Sequence, residues 1–530
     1  MNYWIEQAVF YHIYPLGFFG APLKNQENGV QHRILKLKEW ISHLKSLNIN
    51  AIYLGPIFSS SEHGYDTKDY YKIDERLGTA EDFKEICDLL HKNNIKIVLD
   101  GVFNHVGREF WAFKDVLEKK EASKYIDWFS NINFHQSTPY QDPFSYDCWE
   151  GHYNLVKLNL NNSQVVEHLI NAVDMWIEVF DIDGIRLDAA NCIEPQFFVK
   201  LKQFTQEKKH DFWLMGEIIH GDYSRWVNKE MLDSVTNYEV YKGIYSSHND
   251  KNYFEIAHSF QRLYGNGGLY QNFLTYNFVD NHDVNRIISN LRDSRDIFNV
   301  YTMLYLAPGI PSIYYGSEWG IEGKRTNTSD EMLRPCLDLK QWVDKYPSLV
   351  QHISFLGYLK NNVSALHGNE YEALVIRNQQ LVFHRYHKDS HIYAVFNCGE
   401  EDYELSFSVQ EYYVWYDLLN RNEYHIEDGK IHVKVSAKNS IILCNSFING
   451  NSMDEVNEHD IEKKLGVYQH YKGKQYRVLG FAKHSETLEE YVMYQQLYGD
   501  ESYWIRPSSM FFEEVETNGK KVRRFQWMKD

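Results

Sequence analysis

The sequence predicts an α/β protein whose main domain is a (β/α)8 TIM barrel with an inserted lobe after strand 3, followed by a C-terminal β-sandwich and an extra small β domain. Three observations lead to this fold class. Apolar runs of strand length alternate with helical patterns over the first 364 residues, as in a parallel barrel. One connection between two of these strands is much longer than the others. After residue 364, short alternating strands replace the helical patterns, as in a sandwich.

Eight barrel strands are predicted, each an apolar run with a helical pattern between it and the next. They cover residues 9–14, 51–54, 95–100, 184–188, 213–217, 234–238, 274–280 and 310–315. The first long helical pattern covers 34–47. The helix at 80–92 has Thr79 as a good N-cap and Glu81 and Asp82 in its first turn. The helix at 165–180 is amphipathic, with an apolar face formed by Val166, Leu169, Val173, Trp176 and Ile177.

The pattern of predicted helices and strands also gives the domain boundaries. The barrel domain covers 1–364 and includes a polar and aromatic insert at about 106–162, expected to overhang the C-terminal mouth as one wall of a cleft. A helix at 342–358 precedes a β-sandwich at 365–446. Sandwich strands are predicted at 372–377, 392–397, 403–407, 411–415, 431–435 and 440–444. Residues 447–460 are predicted to be a linker and 461–530 a small mainly-β domain.

Composition limits the partners of the protein. The 530 residues have a formal net charge of −18 and a pI near 5.7, which argues against nucleic acid or an anionic membrane as partner. The sequence shows no membrane span and no secretion signal, and its six cysteines are scattered, so a cytoplasmic protein with reduced thiols is expected. Aromatic residues make up 16% of the chain, and flat aromatic faces suit the rings of a neutral sugar.

Carboxylates stand where four predicted strands end. Asp100 ends strand 3, Asp188 strand 4 and Glu217 strand 5, while Asp283 follows strand 7. Packing does not explain them, because an unpaired buried carboxylate is costly. Since the C-terminal ends of barrel strands meet at one face, these side chains are expected to form one catalytic site.

The pattern fits cleavage of a glycosidic bond with retention, which needs a nucleophilic carboxylate and a second carboxyl as acid and then base, about 5–5.5 Å apart. Arg186 lies two residues before Asp188, on the same side of the strand, where it would keep a nucleophile ionised. Glu217 is then the predicted acid/base, kept protonated by burial and nearby negative charge. Asp283 is the predicted stabiliser of the oxocarbenium-like transition state.

Two histidines follow the same strand ends. His105 and His282 are expected to donate hydrogen bonds to the same sugar. The alternative is that they are core histidines bonded to the backbone.

The chain resembles the α-amylase family, glycoside hydrolase family 13, over about residues 1–445. The resemblance lies in DGVFNH at 100–105, GIRLDAA at 184–190, GEI at 216–218, VDNHD at 279–283 and GYDTKDY at 64–70. It implies that Asp188 is the nucleophile, Glu217 the acid/base and Asp283 the transition-state stabiliser. The expected substrate-binding residues are Tyr65, Asp100, His105, Arg186, His282 and Arg286.

Within that family, KLN at 157–159, DWF at 127–129 and DIDG at 181–184 are similar to the neopullulanases, cyclomaltodextrinases and maltogenic amylases. This resemblance implies hydrolysis of α-1,4 bonds in maltodextrins or cyclodextrins. Val156 replaces the proline of that group and Ile219 its tryptophan, so an intracellular α-glucosidase or maltodextrin glucosidase is an alternative. A transglycosylase on the same site and a non-catalytic carbohydrate-binding relative are two more. Bond preference, exo or endo action and oligomeric state stay open.

No cofactor is expected, and calcium is not expected to be required. Asn104 matches a calcium ligand of some family members, but Asn191 and Cys192 replace their lysine and histidine, and the loop at 17–30 has no aspartate.

The C-terminal segment resembles a small bacterial domain of unknown function, through motifs at 466–473, 484–489, 497–500 and 504–507. Two interpretations are open for its polar residues: a polar site, or the turns and surface of a small β-barrel. These residues are His470, His484, Glu486 and Arg506. Trp504 is a candidate for sugar binding.

Overall fold

The computed structural model describes residues 3–26, 29–410, 412, 414–445, 466–483, 490–499, 502–517 and 520–528. The chain forms two compact units, Met1–Ile448 and Asn449–Asp530. The predicted linker at 447–460 lies outside the described residues.

Eight parallel strands form the main sheet of the first unit. They are β1 (Phe10–Ile13), β2 (Ala51–Leu54), β3 (Lys96–Gly101), β4 (Gly184–Leu187), β5 (Trp213–Gly216), β6 (Ser234–Val235), β7 (Tyr276–Phe278) and β8 (Ile310–Tyr314). Their order is β6-β5-β4-β3-β2-β1-β8-β7. A parallel bridge between Thr236 and Tyr276 joins the two edges, so the sheet closes on itself. The predicted (β/α)8 barrel is confirmed.

Residues alternate between the two faces of each strand, and the barrel therefore has two cores. Phe10 of β1 and Trp213 of β5 lie in the inner cluster, with Tyr53 of β2. Their neighbours Tyr11 and Ile52 belong to the outer cluster, which packs against the surrounding helices.

The described α-helices range in length from 4 residues (Tyr3–Glu6) to 18 residues (Ser163–Phe180). They cover Tyr3–Glu6, Pro15–Phe18, Ile41–Ser46, Ala80–Lys92, Trp111–Lys119, Ser163–Phe180, Pro195–Lys208, Tyr238–Asn249, Phe254–Tyr264, Ile287–Asn290, Ile297–Leu306, Leu339–Trp342, Pro347–Asn362 and Ser508–Phe511. Single 3-10 segments cover Arg33–Trp40, Lys120–Ala122, Ile126–Trp128, Ala190–Cys192, Tyr223–Arg225, Ser294–Asp296, Ser317–Trp319, Glu331–Leu333 and Ser364–Leu366.

Two helices match their predictions closely. Thr79 and Asp82 form a reciprocal capping box at the start of Ala80–Lys92. All five residues of the predicted apolar face of Ser163–Phe180 are buried.

Three elements differ from prediction. The strand predicted at 234–238 ends at Val235, because the Asn237 side chain accepts a hydrogen bond from Val240 N and starts a helix at Tyr238. The helix predicted at 34–47 is a 3-10 segment followed by the α-helix Ile41–Ser46. The helix predicted at 342–358 is two helices, and Pro347 begins the second.

The insert after β3 contains a small antiparallel sheet. Its strands are His105–Gly107, Cys148–Trp149 and His152–Lys157, and a separate hairpin after β2 pairs Phe58–Ser60 with Thr67–Ile73. Arg108 fixes the insert internally, because both of its terminal nitrogens lie 2.7 Å from the Asp142 carboxylate. The insert begins where β3 ends, and this places it at the C-terminal mouth of the barrel.

Two antiparallel sheets follow the barrel. The larger contains Tyr371–Ile376, Gln380–His387, Ser390–Asn397, Asn439–Cys444, Trp415–Asp417 and Glu423–Tyr424, and the smaller contains Tyr403–Ser408 and Lys430–Val435. One face of the larger sheet joins the barrel core, and the other packs against the smaller sheet. The strand Gln380–His387 was not predicted, because its first six residues are buried on both faces and show no alternation. Of the strand predicted at 411–415, residues 411 and 413 lie outside the described residues.

The second unit is mainly β, as predicted. A five-stranded sheet contains Gly466–His470, Gln475–Lys483, Glu490–Gln496, Tyr503–Pro507 and Phe525–Trp527, and a hairpin pairs Glu514–Thr517 with Lys520–Arg523. Its core is aromatic and includes Tyr468, Tyr494 and Phe511. His484 and Glu486 lie outside the described residues.

The buried Asp183 carboxylate connects strand β3, the helix Ala80–Lys92 and Lys209. Its carboxylate accepts hydrogen bonds from Ile97 N at 2.9 Å, His91 Nε2 at 2.8 Å and Lys96 Nζ at 2.9 Å, and it lies 2.8 Å from Lys209 Nζ. Burial alone would raise the pKa of Asp183, but the His91 hydrogen bond and the Lys209 charge lower it well below its usual range.

We expect Asp183→Asn to lower the free energy of unfolding by about 3 kcal/mol at pH 7, because it removes the anion from a buried ion cluster. A carboxyl whose pKa is lowered by folding stabilises the fold above its ordinary pKa of about 3.9. The difference between variant and wild type should therefore persist from pH 7 to about pH 4 and shrink below that. Urea unfolding at several pH values measures it.

Asp88→Asn is the matched control. Its side chain is 62% exposed and pairs with Lys84, outside the Asp183 cluster. Its effect should stay within about 0.5 kcal/mol. Equal effects of the two variants would contradict a special role for the Asp183 cluster.

Candidate active site

The predicted catalytic carboxylates lie together at the C-terminal mouth of the barrel. Asp188 directly follows β4 and Glu217 directly follows β5, while Asp283 lies in the loop after β7. Alternation along β4 directs Arg186 and Asp188 to the same side, toward the barrel interior. The strands thus bring side chains that are distant in sequence to one place.

Arg186 is the common partner of three carboxylates. Its Nη1 lies 2.9 Å from Asp100 Oδ1 and 2.9 Å from Asp188 Oδ1, and its Nη2 lies 2.8 Å from Glu217 Oε2. Arg186 is 3% exposed, so these interactions are shielded from water. Because one rigid guanidinium contacts both Asp188 and Glu217, their carboxyl groups are held close together.

Glu217 has further partners on its other side. Ala189 N donates to Glu217 Oε2 at 3.1 Å, and Tyr238 Oη donates to Oε1 at 3.3 Å. Ala189 has a left-handed backbone, with φ of 44°, directly after Asp188. A non-glycine residue in this region is strained, and such strain is concentrated at functional sites.

A histidine and an arginine side chain contact the Asp283 carboxylate. His282 Nε2 lies 3.0 Å from its Oδ2, and Arg334 Nη2 lies 3.1 Å from its Oδ1. Arg334 Nε also donates to His282 O at 3.1 Å, which ties both residues together. Tyr65 stacks on the His282 ring at 5.6 Å, and its hydroxyl contacts His282 Nε2 and Asp100 Oδ2.

Burial and charge act differently on the two aspartates. Burial raises the pKa of Asp188, and the nearby Glu217 charge raises it further, while Arg186 opposes both. Burial would raise the pKa of Asp283 as well, but the charge and hydrogen bond of His282 and the Arg334 guanidinium lower it well below its usual range. Asp283 therefore stays ionised, whereas Asp188 retains a proton more readily.

His105 is neutral and aimed at Asp188. Burial lowers the pKa of His105 to about 3, and its Nε2 lies 3.9 Å from Asp188 Oδ2. Its Nδ1 lies 3.1 Å from the Asn104 amide nitrogen, which makes Nδ1 the acceptor and Nε2 the N–H donor. That Nε2 has no hydrogen-bond partner within the described residues, so it is available to a ligand.

Arg286 is not brought to this cluster. It is fully buried, and its guanidinium donates to Tyr315 O at 2.6 Å and to Leu333 O at 2.8 Å. It also stacks over Tyr314 at 4.0 Å. Arg286 supports the loop after β8 from inside, and Arg334 of that loop reaches Asp283 instead.

Sequence reasoning missed Arg334, Tyr53 and Tyr238. Arg334 lies in an irregular segment with no periodic pattern, so no local signal identifies it. Tyr53 had a signal, because alternation on β2 directs it inward, where its hydroxyl donates to Asp100 Oδ2 at 2.8 Å.

That no calcium ion is required near Asn104 stays a prediction. Asn104 Oδ1 is buried without a hydrogen-bond partner in the described part of the chain. Calcium takes 6–8 oxygen ligands, usually including carboxylates. No group of three or more His, Cys, Asp or Glu side chains is placed to hold a metal ion among the residues that the structure describes.

The family model described as "Alpha amylase, catalytic domain" matches residues 34–346, more than half of the chain. The chain belongs to the α-amylase family of glycoside hydrolases. A second model, described as a protein of unknown function (DUF1653), matches residues 466–527 of the α-amylase-family chain.

Three relatives illustrate the similarity. A maltogenic alpha-amylase of Bacillus acidopullulyticus is 30% identical over 458 residues, which are 81% of this chain and 75% of that protein. An intracellular maltogenic amylase of Bacillus subtilis is 30% identical over 352 residues, 63% of this chain and 58% of that protein. A solved cyclomaltodextrinase superposes with a TM-score of 0.74 at 26% identity, over 83% of this chain and 78% of that one.

None of the described helices combines the length and the hydropathy that a membrane span requires.

We expect Arg334→Gln to lower kcat/KM by about 10²-fold, because Asp283 loses a partner that fixes and ionises it. The pKa of Asp283 should also rise when the cation is removed, but His282 still lowers it. The acid limb of the kcat/KM profile should therefore stay in place, because Asp188, whose pKa burial raises, sets that limb. Rates on a maltodextrin at a series of pH values measure the loss and the unmoved limb.

Arg334→Lys should restore part of the activity, since it keeps the charge. Arg292→Gln is the matched control, because Arg292 is 72% exposed and pairs with Asp250 instead. An Arg334→Gln enzyme with wild-type kcat/KM would rule out this electrostatic role.

Proposed function

We propose that the protein is a retaining glycoside hydrolase that cleaves α-1,4-glucosidic bonds of maltodextrins and cyclodextrins. The observation that supports it most directly is the buried cluster in which Arg186 holds Asp188 and Glu217 on one guanidinium. Retaining enzymes need these two carboxyl groups about 5–5.5 Å apart, and inverting enzymes need a wider gap for water. A shared guanidinium favours the closer spacing.

In the first step, Asp188 attacks the anomeric carbon while Glu217 gives its proton to the glycosidic oxygen. The glycosidic bond breaks, the shortened sugar leaves with that proton, and the glycosyl group is bound to Asp188 as an ester. In the second step, Glu217 takes a proton from water, and the hydroxide oxygen attacks the same carbon. Asp188 leaves as a carboxylate, and Glu217 is protonated again.

Asp283 supplies negative charge without taking part in bond exchange. Both transition states have oxocarbenium character, and a preorganised anion near the ring stabilises them. Asp283 suits this role because His282 and Arg334 keep it ionised and oriented. The His105 N–H and the Tyr65 ring face the same pocket and would contact the cleaved sugar.

The proposal includes a cytoplasmic location and no required metal. An intracellular relative supports the location, and an enzyme there would meet imported maltodextrins. The two steps use only Asp188, Glu217 and water.

Product analysis tests the function. Pure enzyme should open cyclomaltoheptaose to shorter maltodextrins and release maltose from maltotetraose, measured as timed product profiles. Stepwise glucose from maltotetraose with the ring intact would instead indicate an α-glucosidase. Products longer than the substrate would indicate transglycosylation, and panose from pullulan would indicate neopullulanase action.

We expect Asp188→Asn to lower kcat by at least about 10⁴-fold, because the amide cannot form the glycosyl ester. Asp88→Asn again serves as the exposed control and should keep wild-type rates. Circular dichroism checks that the fold is intact. If Asp188→Asn retained wild-type turnover, the nucleophile would have to be another residue.

A further inference from the structure

His470 and Arg506, two polar residues of the second unit, lie against the same aromatic ring. The centre of the His470 ring lies 4.8 Å from that of Phe525, and the guanidinium carbon of Arg506 lies 5.9 Å from it. Phe525 is 3% exposed, whereas His470 and Arg506 are only half-buried. Both polar side chains therefore stand at the border between the aromatic core and solvent.

The strand register places them there. His470 is directly opposite Phe525, and Arg506 is directly opposite Val492. Phe525 and Val492 belong to the core of this unit. Directly opposite residues of antiparallel strands project from the same face of a sheet. His470 and Arg506 thus project from the core-facing side of the sheet, at the edge of the core.

The turn that follows His470 adds two exposed lysines. Lys472 Nζ lies 5.5 Å from the centre of the Tyr471 ring, and Lys474 Nζ lies 4.3 Å from that of Tyr498. Together with Arg506 and His470, these lysines form what we call the cationic cluster.

The cationic cluster has no neutralising carboxylate within the described part of the chain. Arg524 shows the contrast, because its Nε lies 2.6 Å from Glu513 Oε1. No described carboxylate pairs with Lys472, Lys474 or Arg506. A half-buried guanidinium loses hydration, and that loss is costly without a partner. The position of Arg506 therefore indicates an anion that supplies one.

His470 adds a neutral hydrogen-bond donor to the cluster. Burial lowers the pKa of His470, and the charges of Arg524 and Arg506 lower it further. Its Nδ1 accepts a hydrogen bond from Lys472 N at 3.3 Å, so Nε2 carries the proton. No described residue accepts a hydrogen bond from this N–H, and the ring is only partly buried. The donor is therefore open to a ligand from solvent.

Separate cations around a neutral donor match a phosphate monoester. Such a group carries about −1.5 to −2 charge at pH 7 and has three acceptor oxygens. Arginine binds a phosphate through two N–H groups, and lysine binds it as a point charge. A long nucleic acid fits less well, because a chain with a formal net charge of −18 repels it. An uncharged sugar needs no such set of cations.

We propose that the cationic cluster binds the phosphate group of a small phosphate monoester, at a site that contains none of the catalytic carboxylates. Hydrolase activity is not needed for this binding, because every residue of the cluster belongs to the second unit.

Isothermal titration calorimetry of the full chain tests the site, with inorganic phosphate, glucose 6-phosphate and AMP as probes in a low-salt buffer free of phosphate. Glucose and adenosine are the matched compounds without phosphate, and they should bind at least about tenfold more weakly than their monoesters. Tighter binding of glucose 6-phosphate than of AMP would support a sugar phosphate as the ligand, and the reverse order would support a nucleotide.

Arg506→Gln and Lys472→Gln should each weaken the binding of the monoesters by about tenfold. Lys472 is exposed in a turn, so its variant should fold even if Arg506→Gln disturbs the core. Arg477→Gln is the matched control and should bind like the parent. Arg477 is exposed and directly follows Tyr476, whose ring packs on Phe525, so alternation directs Arg477 to the opposite face.

Absence of binding for all three probes would overturn the phosphate site. Equal affinities in the parent, Arg506→Gln and Lys472→Gln would overturn it as well, because the ligand would then bind elsewhere. Tighter binding of a single-stranded oligodeoxythymidylate than of either monoester would also contradict it, in favour of a nucleic-acid partner. None of these measurements depends on turnover, so failure of the proposed hydrolase function gives a different result: no product from maltotetraose.

Discussion

Arg186 is a buried guanidinium surrounded by Asp100, Asp188 and Glu217, and the arrangement of the site depends on it. Taking an unpaired ion out of water costs several kcal/mol, so each carboxylate needs a partner inside the barrel. The rigid planar fork of arginine directs two carboxylates from adjacent strands to fixed places, which a lysine could not do. The position of Arg186 is in turn fixed by β4, whose register with β3 sets Asp100 opposite Arg186. The barrel therefore determines the geometry of the charges.

The outward face of each barrel strand contributes to the stability of the fold, and the inward face contributes side chains to the catalytic site. Outward residues such as Ile185 and Leu187 join the large core that packs the helices against the barrel. Most inward residues of the lower barrel are aromatic or aliphatic, and the ionisable pair Asp100 and Arg186 stands near the strand ends. The polar side chains at the strand ends form the catalytic site at the mouth of the barrel. The insert that begins at His105 adds a wall to this site.

The sequence predicts the place of a site residue correctly where that residue directly follows a strand. Asp188 and Glu217 directly follow apolar strands, so their place at the mouth could be predicted from the strands alone. Arg334 could not, because an irregular loop brings it to Asp283 and no periodicity describes such a loop. Arg286 shows the reverse error: it lies only three residues beyond Asp283, but the chain turns there and buries its guanidinium under Tyr315 and Leu333. The missed strand Gln380–His387 has the same kind of cause, since a strand covered on both faces loses the alternation that identifies strands.

The charge balance of the site explains how one enzyme can hold an acid and a nucleophile side by side. Four carboxylates face two guanidinium groups, Arg186 and Arg334, and the neighbouring His105 is neutral. Asp283 has Arg334 and His282 on its own side and remains ionised. The other three carboxylates share Arg186 alone, so full ionisation would leave excess negative charge in a dry pocket. Burial and the Glu217 charge accordingly raise the pKa of Asp188, and Arg186 opposes that rise. Cleavage needs Asp188 ionised as the nucleophile and a proton on Glu217, where the leaving oxygen takes it.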